Sequence, residues 1–191
     1  MLRGVGDDPP VAASRGGAPG GDVLLASRTA AGAASIPRGR DSDLDRQLGS
    51  DAGLARVARL ADGWLASAYN TTPERFAAAR ESLARKLGER GRDPAGFPNA
   101  LVTMWTWVSE DRAEADHMLD QVLAPLLGRG PDELRDHLCI GSAKHCAEVL
   151  SSYARAGCEW VQLWPLGDER GQIELVAERV RPAVESGSQA R

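Results

Sequence analysis

The chain has 191 residues, 42% of them apolar, with 23 lysines and arginines against 27 aspartates and glutamates. That length suits a single domain able to bury a core, and a net charge of −4 argues against a nucleic-acid partner, which would select a basic face. No apolar run reaches the roughly 18 residues of a membrane span, and the N-terminus lacks the apolar stretch of a secretory signal, so no membrane partner and a cytoplasmic location are expected.

Residues 1–48 are rich in Gly, Ala, Pro, Ser, Arg and Asp and contain no aromatic side chain. Such a segment cannot bury enough apolar area to offset its ordering entropy, and disorder is expected. Only Asp22–Ala26 (DVLLA) has the composition of a short strand.

Regular pattern begins at Ser50 or Asp51, either of which can cap a helix. Leu54, Val57, Ala58 and Ala61 then recur at helical spacing. Gly63 stops that helix, and WLAS (64–67) reads as a short buried strand that runs into a loop at Tyr69 and Asn70. Thr72-Pro73-Glu74 opens a second helix, with Thr as cap and Pro where a missing N–H costs nothing; Phe76, Ala79, Arg80 and Leu83 carry it to Leu87. Asn99–Ser109, apolar and β-branched with two tryptophans, is a strand that puts Trp105 and Trp107 on one face. A helix from Arg112 to about Leu127 follows, with Ala115, Met118, Leu119, Val122 and Leu126 as its inner stripe. LCIG (138–141) is a brief strand. Ser142 caps a helix that turns Cys146, Val149, Leu150 and Tyr153 inward and ends at Gly157, where a left-handed residue is favoured. CEWVQLWP (158–165) is the last strand, and Asp168 caps a final helix through Ile173, Val176, Ala177 and Val180.

Strands that alternate with helices imply an α/β fold with a mainly parallel sheet. The loops after the strands all end in capping chemistry, and such loops are where α/β folds bind ligands. Cys139, Cys146 and Cys158 are an odd set without framework spacing, so reduced thiols are expected. His137, Cys139, His145 and Cys146 are zinc-ligand types close together. They lack a C-x-x-C pair, and no metal site is expected from them; a small ligand- or metal-binding module built on this cluster is a third reading.

The segments GSDAGLARVARLADGWLASAYNTTPERFAAARESL (49–83) and CIGSAKHCAEVLSSYARAGCEWVQLWPLGDERGQIELVAERVRPAV (139–184) resemble the bacterial-luciferase-like superfamily of flavin- or deazaflavin-dependent oxidoreductases. The order and spacing of the Gly-Ser segment, the ADGW segment, the Thr-Pro-Glu helix start and the closing helix carry the likeness. It implies the C-terminal portion of a (β/α)8 barrel over residues 49–186, incomplete, with an irregular segment at 1–48 and a disordered tail at 187–191. It further implies FMN or a deazaflavin coenzyme as cofactor. Gly49, Ser50, Asp51 and Gly53 would lie at the strand-to-helix junction that receives its phosphate, and Tyr69 and Asn70 beside the ring. Trp64, Trp105 and Trp107 are expected in the core, the last two rather than as a platform for the ring. No nucleophile–base pair is visible and the catalytic residues are unknown; in such enzymes the cofactor carries the chemistry. Asp51 departs from the pattern, since a carboxylate repels phosphate.

The family places an apolar strand directly before the Gly-Ser segment, where this chain has SDLDRQLGS. Writing 43–49 as GAT CTG GAT CGG CAG CTG GG and shifting by one base yields Ile-Trp-Ile-Gly-Ser-Trp-Gly, which joins onto Ser50. Residues up to about Leu48 are therefore expected to be an out-of-frame translation. The expected function is a fragment of a luciferase-like oxidoreductase or monooxygenase for a small organic substrate, inactive as this chain. The alternative is a non-catalytic half-barrel that works as a structural or interaction partner. Either way the exposed edges and faces of an incomplete barrel predict a homo-oligomer or a self-associating chain.

Overall fold

Five of the helices start where a short polar side chain satisfies orphan backbone donors. In the computed structural model, which describes residues 24–27 and 50–189, Ser50 accepts the Gly53 N–H at 3.1 Å and opens α1 (Asp51–Leu60). Thr72 accepts from Arg75 and opens α2 (Pro73–Gly88), with proline at the first turn. Asp111 opens α3 (Arg112–His117), which passes through a π turn at Met118–Leu123 into α4 (Ala124–Leu127). A short α5 (Pro131–Arg135) follows, which the sequence pattern did not single out. Ser142 opens α6 (Ala143–Arg155), and Asp168, itself left-handed at φ 41°, opens α7 (Glu169–Leu175). A second π turn, Val176–Val180, leads to α8 (Arg181–Gln189). Residues 1–23 and 28–49 lie outside the described part, so the expectations of disorder and of an out-of-frame origin for residues 1–48 fall outside it except at Leu24–Ser27, which form a strand.

The strands are β1 (Leu24–Ser27), β2 (Trp64–Ser67), β3 (Asn99–Val108), β4 (Cys139–Gly141) and β5 (Trp160–Pro165). Every pairing is parallel, in the order β1-β5-β3-β2 with β4 added to β3. The β1 strand overlaps the one strand-like run expected in the first 48 residues, Asp22–Ala26. The ten-residue β3 has β5 along one edge, while its other edge is shared: β2 pairs with Asn99–Val102 and β4 with Thr106–Val108. The α/β alternation with a parallel sheet is as expected. In a closed barrel each strand adjoins its successor; here β5 lies against β3, and β4 is confined to that strand's end.

Two side-chain amides fix this arrangement. Asn99 is buried, donates to the Gly157 carbonyl (3.2 Å) and the Glu159 carboxylate (2.9 Å), and accepts the Glu159 N–H (3.2 Å). It therefore ties the start of β3 to the start of β5. Gln172 on α7 is also buried; its amide accepts the Val108 N–H at 2.6 Å and donates to the Val108 carbonyl at 3.3 Å. That pair of bonds imitates a neighbouring strand at the end of β3.

Between Leu101 and Met104 the register slips, so that Val102 and Thr103 together oppose Gln162 of β5. Thr103 has φ 55°, a left-handed conformation that is a true outlier for a β-branched residue. The extra residue forms a bulge. It leaves Leu101, Met104, Thr106 and Val108 facing the helices and buried, with Val102, Trp105 and Trp107 on the opposite face.

The core lies between the sheet and one layer of helices. Trp64 of β2 stacks on Phe76 of α2 at 4.8 Å, and Phe76 meets Tyr153 of α6 edge-on at 6.1 Å. Tyr153 is fully buried and donates to the Thr71 carbonyl at 2.9 Å; burial pushes its phenol well above the usual range. Burying each such ring stabilises by about 1.5–3 kcal/mol.

Three expectations are corrected by the packing. Leu65 is 59% exposed, so WLAS is buried on one face only. Val122 and Leu126 are exposed, and Leu123 and Ala124 are buried in their place. The π turn at Met118–Leu123 is the reason: it adds a residue to one turn and rotates the following stripe away from the core. The second π turn likewise leaves Ala177 exposed while Val176 and Val180 are buried.

Replacing Asn99 by Ala leaves the Glu159 N–H without its acceptor. It should lower stability by roughly 1–3 kcal/mol, read as a lower midpoint in urea unfolding with an unchanged slope; Gln172→Ala should behave alike through Val108.

Candidate functional site at the carboxyl ends of the strands

The loops that leave the strands hold most of the residues singled out from sequence. Gly49 lies outside the described residues. Ser50 is engaged as the cap of α1, and Gly53 is buried in that helix's first turn. Asp51 forms an ion pair with Lys86 of α2 at 2.6 Å, and the hydrogen bond and charge of that ammonium hold its carboxyl below the ordinary range. The carboxylate sits at the positive end of the helix dipole, so an incoming anion would compete with it for Lys86.

Tyr69 and Asn70 occupy a 3-10 turn directly after β2. Arg129, between α4 and α5, reaches both: its guanidinium lies 5.6 Å from the Tyr69 ring centroid, donates to the Tyr69 carbonyl at 3.2 Å and to the Asn70 side-chain oxygen at 2.5 Å. Asn70 Nδ2 lies 3.4 Å from Ser67 Oγ, Ser67 lies 2.8 Å from the Thr103 hydroxyl, and Thr103 donates to the Val102 carbonyl at 2.6 Å. Because the Thr103 proton is committed to that carbonyl, the Ser67 hydroxyl is the donor to Thr103. The result is a one-way chain of donors, Arg129 to Asn70 to Ser67 to Thr103, ending at the bulge. Ser67, Thr103 and Arg129 were not picked out from sequence. Arg129 carries no local signal, being 59 residues from its partner, and a left-handed threonine inside a strand leaves no mark in an apolar pattern.

Beside this chain lies a sheet face made of Leu65, Ala100, Val102, Trp105, Trp107, Trp160, Gln162 and Trp164, of which Leu65, Trp160 and Trp164 are exposed and the others half-buried. Trp105 and Trp164 meet edge-on at 5.3 Å. Among the described residues, the indole N–H groups of Trp105 and Trp107 are buried without a hydrogen-bond partner. Trp64 is in the core, 2% exposed, as expected.

The cysteine and histidine cluster is divided by the fold. Cys139, Cys146 and Cys158 are reduced and buried. The neighbouring Cys146 thiol and burial raise Cys139 far above its ordinary value, and burial pushes Cys158 up to about 12. His137 and His145 instead line a cleft of ≈ 350 Å³ with Thr72, Glu74, Asp136 and Glu148. Burial lowers the His137 pKa. Among the described residues no group of three or more His, Cys, Asp or Glu is placed to hold a metal ion. None of Ser50, Asp51, Gly53, Tyr69 and Asn70 lines this cleft. No described helix is long and apolar enough to cross a membrane.

No protein-family model matches the chain, and no curated protein matches it in sequence. Its fold does match solved structures. An F420-dependent secondary alcohol dehydrogenase in complex with an F420–acetone adduct aligns at TM-score 0.56 and 17% identity, over 70% of this chain and 46% of that one. The coenzyme F420-dependent tetrahydromethanopterin reductase of Methanopyrus kandleri aligns at 0.53 and 16%, over 70% and 48%. A riboflavin lyase with modified FMN and riboflavin aligns at 0.53 and 14%, over 74% and 42%. The chain thus spans under half the length of these structures. The architecture is that of a partial parallel (β/α) barrel. The fold that the resemblance implied is the one observed, and its neighbours include proteins described with F420 and with FMN.

The residues present fit a flavin or deazaflavin in part. Trp105, Trp107 and Trp164 offer flat apolar surface, and the Asn70–Ser67–Thr103 chain offers hydrogen-bonding groups beside it, as a heteroaromatic ring requires. The start of α1 fits a phosphate only when Lys86 exchanges Asp51 for it.

The Asp51–Lys86 pair has a pH signature. A carboxyl lowered in the folded state contributes stability above its unfolded pKa and loses it as pH falls through the folded value. Lys86→Met should raise the Asp51 titration midpoint, followed by carboxyl NMR, back toward 3.8, and should remove that part of the acid dependence.

Proposed function

We propose that this chain is the C-terminal portion of a luciferase-like flavin- or deazaflavin-dependent oxidoreductase whose complete form acts on a small organic substrate. The observation that carries the reading is the meeting, at the carboxyl ends of parallel strands, of the Arg129–Asn70–Ser67–Thr103 chain with a tryptophan-lined face. The fold likeness to F420- and FMN-associated proteins supports it. In this reading Asn70 and Tyr69 border the ring, and Ser50, Gly53 and Lys86 take the phosphate, with Gly49 next to Ser50 in sequence and Asp51 released from its ion pair. When bound, a reduced cofactor of this class supplies hydride or oxygen chemistry. The chain's own contribution is to orient the ring through Asn70 and to keep water from one side of it. Taken alone it holds the ring without turning substrate over, since no described side chain is arranged as a general base toward that face. A cytoplasmic location belongs to the same proposal, supported by the three reduced thiols.

The test is titration of the purified chain with FMN and with F420. Saturable quenching of tryptophan emission is expected, weakened several-fold in Asn70→Ala, with no substrate-dependent turnover. Absence of quenching up to millimolar ligand sinks the proposal.

The out-of-frame origin of residues 1–48 is part of the same reading, supported by their unpatterned composition. Resequencing the gene across codons 40–55 and upstream should reveal barrel-like strands and helices in another frame; early stop codons there sink the idea.

A second reading, a non-catalytic half-barrel that works by association with itself, is favoured by the open sheet face. Parallel sheets are ordinarily covered on both faces, and the described residues cover this one on one face.

A further inference from the structure

The geometry points to a particular occupant of the open sheet face: the same face of a second copy of this chain. The inference rests on the self-association reading and adds to it the surface and its symmetry. The face is formed by Leu65 of β2, Ala100, Val102, Trp105 and Trp107 of β3, and Trp160, Gln162 and Trp164 of β5. Leu65 is 59% exposed, Trp160 44% and Trp164 39%. Exposed large apolar side chains gathered on one sheet face mark an interaction surface rather than ordinary surface scatter.

Three observations select a second copy. First, the face carries no ionisable side chain, although 26% of the chain is charged. Two copies can therefore meet there without like charges opposing, despite a net charge of −4 on each. Second, the parts of the chain outside the described residues, 1–23 and 28–49, contain no aromatic residue. Their few large aliphatic side chains (Leu2, Ile36, Leu44 and Leu48 among them) are scattered between glycine, proline and charge, and match a face of four tryptophans poorly. Third, a twofold axis through the face is self-complementary by construction, which is how most homodimers close. Tryptophan from one copy would fill the shallow ground over Ala100 and Val102 of the other.

The size of the surface sets the strength. Strands about 4.8 Å apart, rising about 3.3 Å per residue, make three or four strands of this length a footprint on the order of 300–400 Å² per copy. That is small for a permanent interface, so the dimer should dissociate on dilution.

The experiment is sedimentation equilibrium of the full chain from about 1 to 200 µM, on wild type, Leu65→Lys, Trp160→Lys and Leu126→Lys. Leu126 is 63% exposed but lies on α4, away from the face, so its variant controls for general stickiness. Far-UV circular dichroism establishes that each variant keeps its fold, and Leu65→Lys, at an exposed position in β2, stands in should Trp160→Lys fail to fold. The expected result is a monomer–dimer equilibrium in wild type and Leu126→Lys, weakened at least tenfold by lysine at 65 or 160. A dimer untouched by either lysine overturns this surface while leaving self-association intact. A monomer at every concentration overturns both, and iodide then distinguishes what replaces the second copy. Tryptophans shielded from that quencher would mean that residues 1–23 or 28–49 of the chain cover the face, and tryptophans open to it would mean that nothing does.

Discussion

The side chain of Asn99 decides which strand lies next to which. Its three hydrogen bonds to Gly157 and Glu159 bring the start of β5 to the start of β3, and the parallel ladder continues from there. With β5 on that edge, β4 and β2 must divide the other, so the sheet follows an order that a closed barrel does not use. An asparagine can do this because one amide donates and accepts at once. Since all three bonds are made in a buried place, the alternative is an unsatisfied polar group, and the pairing is strongly specified.

From that constraint follows the split between the two sides of the sheet. Helices cover one side, with Trp64, Phe76 and Tyr153 as its aromatic spine and Gln172 closing the end of β3. On the other side no described element packs, and the aromatic side chains lie half-buried against each other. The polar chain from Arg129 to Thr103 runs along the boundary between the two, at the end of the strands where parallel folds keep their ligands. The site and the open face are therefore adjacent parts of one surface, and what covers the face also encloses the site.

Much of this was legible in the sequence wherever the physics is local. Thr72-Pro73, Ser142 and Asp168 cap helices within three or four residues of themselves, and Gly157 ends α6 in the left-handed conformation at φ 86°. The alternation of β3 and the inward stripe of α6 could be read for the same reason. The π turn at Met118–Leu123 could not: the residues that face the core after it are chosen by packing against elements far away in the chain. The adjacency of β3 and β5 rests on bonds spanning about sixty residues, and Arg129 meets Asn70 across a similar distance. For the candidate site, Ser50, Asp51, Tyr69 and Asn70 are proposed through resemblance, whereas their partners Lys86, Arg129, Ser67 and Thr103 emerge only in three dimensions. What Asp51 does there, holding Lys86, was also beyond the sequence.

The bulge at Thr103 has a consequence for how the chain tolerates change. In a pleated strand, facing is a matter of parity, so adding or removing one residue ordinarily turns everything downstream to the opposite side. The bulge in β3 already carries one residue beyond parity: Leu101 and Met104, three apart, face the same way. Regular alternation through all ten residues would send Trp105 and Trp107 into the helical layer and Met104, Thr106 and Val108 out of it. Deleting Thr103 would instead leave every later side chain on its present side and remove only the partner of the Ser67 hydroxyl. This is the one point in the strand where its length can change without turning the sheet inside out.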